Sequence, residues 1–390
     1  VAAPNVKPPA RRCVYVTPPI GDATIRPQHK YMKTTQKTDT ALEIMLAFAR
    51  ETGLEGSAPP RRYLWTDAYA VGNFIALQSL YPEKDTLAHA TQLISQVHEV
   101  LGRHREDDCR QGWISGLDDS VARQHPTAGG LRIGKPLPER APHEPYDAQS
   151  EWDRDGQYYH YLTKWMYALH LTECATGTHD YGRWARELAE ASFNGFMSKE
   201  SPYQLRWKMS IDLSRPLVAA AGQQDPLDGF VTALALHEAH PDRKLEKIIE
   251  ALMSFCLDQN WVTDDPLSIG GLLSNARRLL QIRGTRETAD LVEDLSRDAL
   301  HGLQRFIASP TLAYPATARL AFRELGLAIG LRQTDPARML ITAKDLAAEL
   351  DRLAGNIEDF WMQESNQLQA TWQDHLDINR VMLASSLLQR

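Results

Sequence analysis

The feature that most constrains this chain is an alternation between two kinds of helical segment. Six stretches are apolar nearly all round: YAVGNFIALQSL, YYHYLTKWMYALHL, GFVTALAL, GGLLSNARRLL, LAFRELGLAIGL and VMLASSLL. Between them run amphipathic stretches such as THDYGRWARELAEASFNGFM, RKLEKIIEALMSFCLDQ and TRETADLVEDLSRDALHGL. A helix apolar on every side has to be covered on every side, whereas an amphipathic helix needs cover on one face only. Six helices standing around an axis, each backed by one of an outer ring, meet both demands. The pattern therefore predicts an all-α fold, an (α/α)6 toroid of about twelve helices.

Apolar residues recur at helical spacing over about 37–53, 65–81, 84–104, 155–175, 179–197 and 227–240, and again over about 243–259, 267–283, 286–308, 316–332, 337–362 and 375–389. Strand-like alternation is scarce, and QLRWKMSIDLSRPLV (204–218) reads as a short hairpin between helices. Residues 1–36 read as an extended Pro-rich leader and 37–390 as one barrel domain. The two longest segments without helical periodicity, about 105–154 and 198–225, both precede apolar helices, so both are expected at the same mouth of the toroid. Long loops of this kind are usually functional.

A formal charge of -7 in 390 residues, with a pI near 6.0, argues against a nucleic-acid partner, which needs a clustered cationic surface. No run of eighteen apolar residues is present, and a mean hydropathy of -0.41 agrees, so no membrane partner is expected. Cys13, Cys109, Cys174 and Cys256 show no CxxC spacing and read as buried free thiols, with a cytoplasmic location. No HxxxH, clustered Cys/His set, calcium loop or phosphate loop occurs, and HPTAGGLRIGKP (125–136) lacks the spacing of a Gly-rich nucleotide loop. The expectation is no metal and no cofactor, with the oligomeric state open.

The helix starts carry the chemistry. QDPLDG (224–229) and DDPLSIGG (264–271) share Asp-Pro-Leu, which predicts Asp225 and Asp265 as N-caps with Pro226 and Pro266 at the first helical position. WTDAY, WDRDG and WQDHLD set a Trp just ahead of an acid at three more starts. With these features the chain resembles the (α/α)6 barrels of the six-hairpin glycosidase superfamily, which also contains polysaccharide lyases. The N-acylglucosamine 2-epimerase group shares that barrel. The resemblance is architectural, runs from about residue 37, and carries no one family's catalytic signature. The strings WDRDGQYYHYLTKWM and WKMSIDLSRPL also resemble segments of bacterial proteins.

The resemblance implies a carbohydrate-active enzyme, a glycoside hydrolase with a carboxylate acid/base pair in the lumen, acting on an oligosaccharide or sugar that is neutral or anionic. A sugar epimerase or isomerase, a polysaccharide lyase and a non-catalytic sugar-binding protein are the alternatives. Inner-helix starts converge on one mouth, so Asp155, Asp228, Asp67 and Asp377 are the candidate catalytic acids. Asp228 lies one turn beyond the expected cap, which frees it for chemistry. Trp65, Trp152 and Trp165 are candidates for stacking on sugar faces, and Asp153 for hydrogen bonding. Gln157, His160 and Lys164 form one polar stripe at helical spacing; His375, Asn379 and Ser386 form a second, and Arg319 and Arg323 a third. Arg323 beside Glu324 also reads as a core ion pair. Lys208 and Arg215 in the 204–218 insertion suit a carboxylate or phosphate on the substrate.

Overall fold

The computed structural model describes residues 28–198, 203–257, 259–282, 285–334 and 344–389. Twelve long helices carry the fold among these residues. In chain order they are α1 (Gln28–Glu51), α2 (Leu64–Leu80), α3 (Thr86–Leu101), α4 (Tyr159–Thr176), α5 (His179–Phe196) and α6 (Asp225–Ala239). The second half holds α7 (Arg243–Cys256), α8 (Pro266–Leu279), α9 (Arg286–Ala308), α10 (Ala321–Gln333), α11 (Lys344–Trp361) and α12 (Leu376–Leu388). The even-numbered helices contact one another in order, and α12 returns to α2, so they close an inner ring. Each odd-numbered helix lies outside and packs mainly against one inner helix, and α1 covers α12, so the two ends of the described chain complete the last hairpin.

Burial follows the two sequence classes. Along α12 every residue from Val381 to Leu388 is buried, as an inner helix demands. On α7 only Leu245, Ile248, Leu252 and Cys256 are buried, one stripe on an otherwise solvated cylinder. Burying a residue such as Leu252 contributes roughly 1.5–3 kcal/mol. Between α8 and α10 the backbones themselves meet. A Cβ at Gly270 would stand 2.1 Å from the Gly326 carbonyl oxygen, and one at Gly330 2.5 Å from that of Gly270. Any side chain there would force the two inner helices apart.

Several expectations shift. The first helix begins at Gln28, inside the stretch read as leader, and residues 1–27 lie outside the described residues. The 204–218 turn is present, with Ser210 N donating to Arg215 O and Leu217 N to Lys208 O. Its first arm also pairs antiparallel with the residues ahead of α4, Gln157 with Met209 and Tyr158 with Lys208. That pairing, together with Arg110 bonded to both Glu139 and Asp212, ties the two long insertions into one body at the N-terminal ends of α4 and α6. The reading of free buried thiols holds for Cys256, but Cys109 is exposed and Cys174 is disulfide-bonded; Cys13 lies outside the described residues. No described helix is long and apolar enough to cross a membrane.

Candidate active site in the barrel lumen

The N-terminal ends of all six inner helices open on a cavity of about 990 Å³. The insertions add Gly134, Lys135, Trp152 and Asp153 on one side and Trp207, Gln223 and Gln224 on the other. Free N–H groups at helix starts favour oxygen-rich ligands, and a volume of this size suits a sugar of a few units.

The start of α6 forms the most unusual wall. Asp225 does not cap the helix: Gln224 holds the cap position without a side-chain bond, and Asp225 is the first helical residue. Three residues on, Asp228 stands on the same face, as helical spacing requires. Asp228 Oδ2 accepts from Lys164 Nζ at 2.9 Å, and Oδ1 accepts from Asn275 Nδ2 at 2.7 Å. Burial opposes its charge, but Lys164 and Asn275 outweigh burial, so its carboxyl sits below the ordinary range. Asp225 has the opposite fate. Burial and the Asp228 charge push its carboxyl well above that range, with Lys164 only partly offsetting them. Its Oδ2 is buried without a partner.

His160 faces this pair from α4. Its Nδ1 stands 3.6 Å from Asp225 Oδ1, too far for a hydrogen bond, and has no other partner. Burial pushes the imidazole down to about 4, so it is neutral at pH 7. Burial likewise lowers the Lys164 ammonium, against the pull of Asp228. Trp65 lies against Tyr69 and Tyr161 with ring centroids 5.2 Å apart in each case, and its Nε1 is buried and unpartnered as well. Three buried polar atoms of lumen-lining residues thus lack partners, where native interiors satisfy nearly all such groups. Nearer the opening, Trp152 is 51% exposed and Lys135 Nζ lies 5.4 Å from its ring centroid.

The start of α8 is a finished structure by contrast. Asp265 caps it as expected, with Oδ2 accepting from Ser268 N at 2.9 Å and from Ser268 Oγ at 2.8 Å. Arg323, on α10, pairs with Asp265 across the lumen wall. Asp377 lines the cavity and meets Arg61 at 3.3 Å, and His375 lies edge-on to Phe322 at 5.9 Å between centroids.

The structure therefore gathers Trp65, Trp152, Asp153, His160, Lys164, Asp228, Arg323, His375 and Asp377 around one cavity. Other candidates lie behind it. Asp155 is fully buried, bonded to Arg132 at 2.6 Å and to the backbone N–H of Gly134 and Gly156 at 3.0 Å, so it anchors the first insertion and does not face Asp228. Asp67 is buried against Arg62 and accepts from Tyr63 N at 2.9 Å, closing the first turn of α2. Gln157 fills its capacity on Leu131, Gly129 and Ile211 backbone groups. Lys208 is fully buried on Glu151 and the Arg154 carbonyl, and Arg215 donates to the Arg140 carbonyl. Asn379 is buried and donates to Trp372 O at 3.0 Å, and Ser386 donates to Glu358 at 2.7 Å. Trp165 is core, its Nε1 donating to His98 Nε2 at 3.1 Å. Glu324 pairs with Arg319 and not with its neighbour Arg323, because one residue along a helix points away while Arg319, ahead of the helix, folds back.

Sequence reasoning missed Asp225 as a site residue, since its Asp-Pro start reads as a cap. The signal was present: the fourth residue of DPLD is a second acid, which cannot donate to a cap as Ser268 does in DPLS. Among the described residues one group, Glu173, His179 and His240, could hold a metal, and it lies away from the lumen.

A closed ring of six helices inside six others, with its cavity at the inner N-termini, defines the (α/α)6 barrel class. No family model and no curated protein matches the sequence. Solved structures place the fold more closely. A glycoside hydrolase family 76 mannosidase of Bacteroides thetaiotaomicron aligns over 90% of this chain and 97% of its own, with a TM-score of 0.55 and 10% identity. The cellobiose 2-epimerase of Spirochaeta thermophila covers 93% and 98%, with a TM-score of 0.53 and 11% identity. A D-mannose isomerase covers 90% and 96%, at 0.52 and 10%. The chain shares the barrel of these enzymes.

Proposed function

We propose that the protein is a carbohydrate-active enzyme, a glycoside hydrolase whose acid/base pair is Asp225 and Asp228. The observation that carries this is the divergence of two neighbouring carboxyls: one is driven toward its protonated form and the other is held ionised, on one turn of α6 facing the cavity. Carboxyls pushed apart in this way are the pattern of acid and base in glycoside hydrolysis. Asp225 donates its proton to the glycosidic oxygen of a bond lying over the first turn of α6. Asp228 supplies the anion that meets the developing charge at the anomeric carbon. Residues at i and i+3 on a helix have Cβ atoms about 5–6 Å apart. The carboxyl separation then decides the outcome: roughly 5–5.5 Å suits a retaining, double-displacement enzyme and a wider gap an inverting one. Exposed Trp152 offers a stacking face near the opening, Trp65 lines the wall deeper in, and Asp377 of α12 and His375 just ahead of that helix line the same cavity.

The neutral, unpartnered His160 favours a second reading, an epimerase or isomerase in which this imidazole takes a proton from a free sugar. One experiment separates the two. A panel of oligosaccharides, uronides and free sugars is incubated with the protein in deuterated water, and products are read by chromatography and mass spectrometry. Release of new reducing ends without deuterium on carbon supports the hydrolase. Deuterium at C2 of a free sugar moves the assignment to His160, and no turnover of any kind leaves a binding protein. The Cys174 disulfide favours an oxidising compartment over a cytoplasmic one.

A further inference from the structure

At the end of the barrel opposite the lumen mouth, three side chains from different elements converge. Glu173 lies in the last turn of α4, His179 opens α5, and His240 follows α6. Glu173 Oε1 lies 2.8 Å from His240 Nε2 and 3.1 Å from His179 Nδ1. One ligand atom of each residue falls within 4.8 Å of the others. The two rings stand nearly perpendicular, with an interplanar angle of 87°.

Hydrogen bonding alone accounts poorly for this acid. The Glu173 side chain is 8% exposed, yet among the described residues it forms no ion pair with Lys or Arg. Three other buried glutamates of this barrel do have such a partner: Glu324 with Arg319, Glu358 with Arg332 and Glu151 with Lys208. The partners of Glu173 are instead two imidazoles, those of His179 and His240. A buried carboxylate without a countercharge is costly. Space has also been left for it: a Cβ at Gly182 of α5 would sit 2.0 Å from Glu173 Oε2. One turn earlier on α4, His170 presents a buried Nδ1 with no partner.

We infer that Glu173, His179 and His240 form a site for a divalent transition metal of the zinc class, which pins the α4–α5 hairpin to the end of α6. Two imidazoles and a carboxylate are a donor set that suits Zn²⁺, with bonds of about 2.0–2.2 Å. Tetrahedral bonds of that length set donor atoms about 3.3–3.5 Å apart, so the Glu173 oxygen would draw back by a few tenths of an ångström from its 2.8 and 3.1 Å contacts to admit the ion. The metal supplies the positive charge that Glu173 lacks and leaves its remaining position to water.

The full chain, stripped with a chelator, is titrated with Zn²⁺ and separately with Co²⁺. The expected result is one equivalent bound, a higher melting temperature with Zn²⁺, and Co²⁺ visible bands of low coordination number. His179→Ala and His240→Ala should each weaken Zn²⁺ binding by more than about 100-fold, beyond the roughly 10- to 100-fold that loss of an outer-sphere partner costs. The His179 side chain is 84% exposed, so its variant should keep the metal-free melting temperature and report on binding alone. No stoichiometric uptake by the wild type overturns the site. So does unchanged affinity in both histidine variants, or loss of the ion from Asp228→Asn in their place.

Discussion

Two helix starts share the tripeptide Asp-Pro-Leu and do opposite work. At α8 the fourth residue is Ser268, whose N–H and hydroxyl both donate to Asp265, and Arg323 covers the other oxygen. At α6 the fourth residue is Asp228, which donates nothing from its side chain and adds a charge of the same sign. Asp225 is left buried, with one oxygen unpartnered and its proton favoured. Capping satisfies a carboxylate, whereas crowding it with a second acid leaves it buried and favours its protonated form. The two starts differ in that fourth residue, Ser for Asp, and in register: Asp265 sits at the cap, whereas Asp225 is already the first helical residue.

The strongest way to break this contrast is to remove charge at α6. Asp225→Asn and Asp228→Asn should each lower turnover about 10²- to 10⁴-fold, the usual contribution of a general acid or base, while the fold persists. Steady-state rates on the substrate found by the panel measure this. Wild-type activity should fall as pH rises through the elevated Asp225 pKa, because the donor is then ionised, and fall at low pH as Asp228 takes up a proton. Full activity in both variants would remove the pair from the mechanism.

A second test uses stability. A carboxyl whose folded pKa lies above its unfolded value stabilises the fold below the unfolded pKa, and that stability is lost as pH rises through the folded pKa. Asp225→Asn should therefore melt at a higher temperature than wild type at pH 7 to 8, the gap closing as pH falls toward the ordinary carboxylate value. Scanning calorimetry across pH checks it, and a lower melting point at pH 8 would contradict the account. The smallest effect belongs to α8. Asp265→Ala should cost about 0.5–2 kcal/mol in urea unfolding, the range for a lost cap, with the pH profile of turnover kept in shape. Asp265→Asn should cost only part of that.

Legibility differed sharply between fold and site. The inner and outer helices could be read because each records its surroundings along its own length: α12 is apolar on every face, and α7 on one stripe. His160, Lys164, Asp228 and His375 were legible as polar residues at helical spacing near helix starts. Asp155 and Gln157 at a loaded helix start, and Lys208 in the 204–218 insertion, looked equivalent to them, since a polar residue has the same sequence whether it faces a lumen or the packed body of an insertion.

What the chain determines by itself is therefore the ring: periodicity is a local property, and six fully apolar helices with six half-apolar ones leave few other ways to bury that surface. Which polar residue faces the cavity was decided by tertiary packing. Arg132 reaches Asp155 from 23 residues away, Asn275 reaches Asp228 across 47, and His240 reaches Glu173 across 67. A carboxylate's charge state and freedom are set by the burial and partners that such distant segments bring to it, and those are properties of the folded neighbourhood that no local spacing encodes.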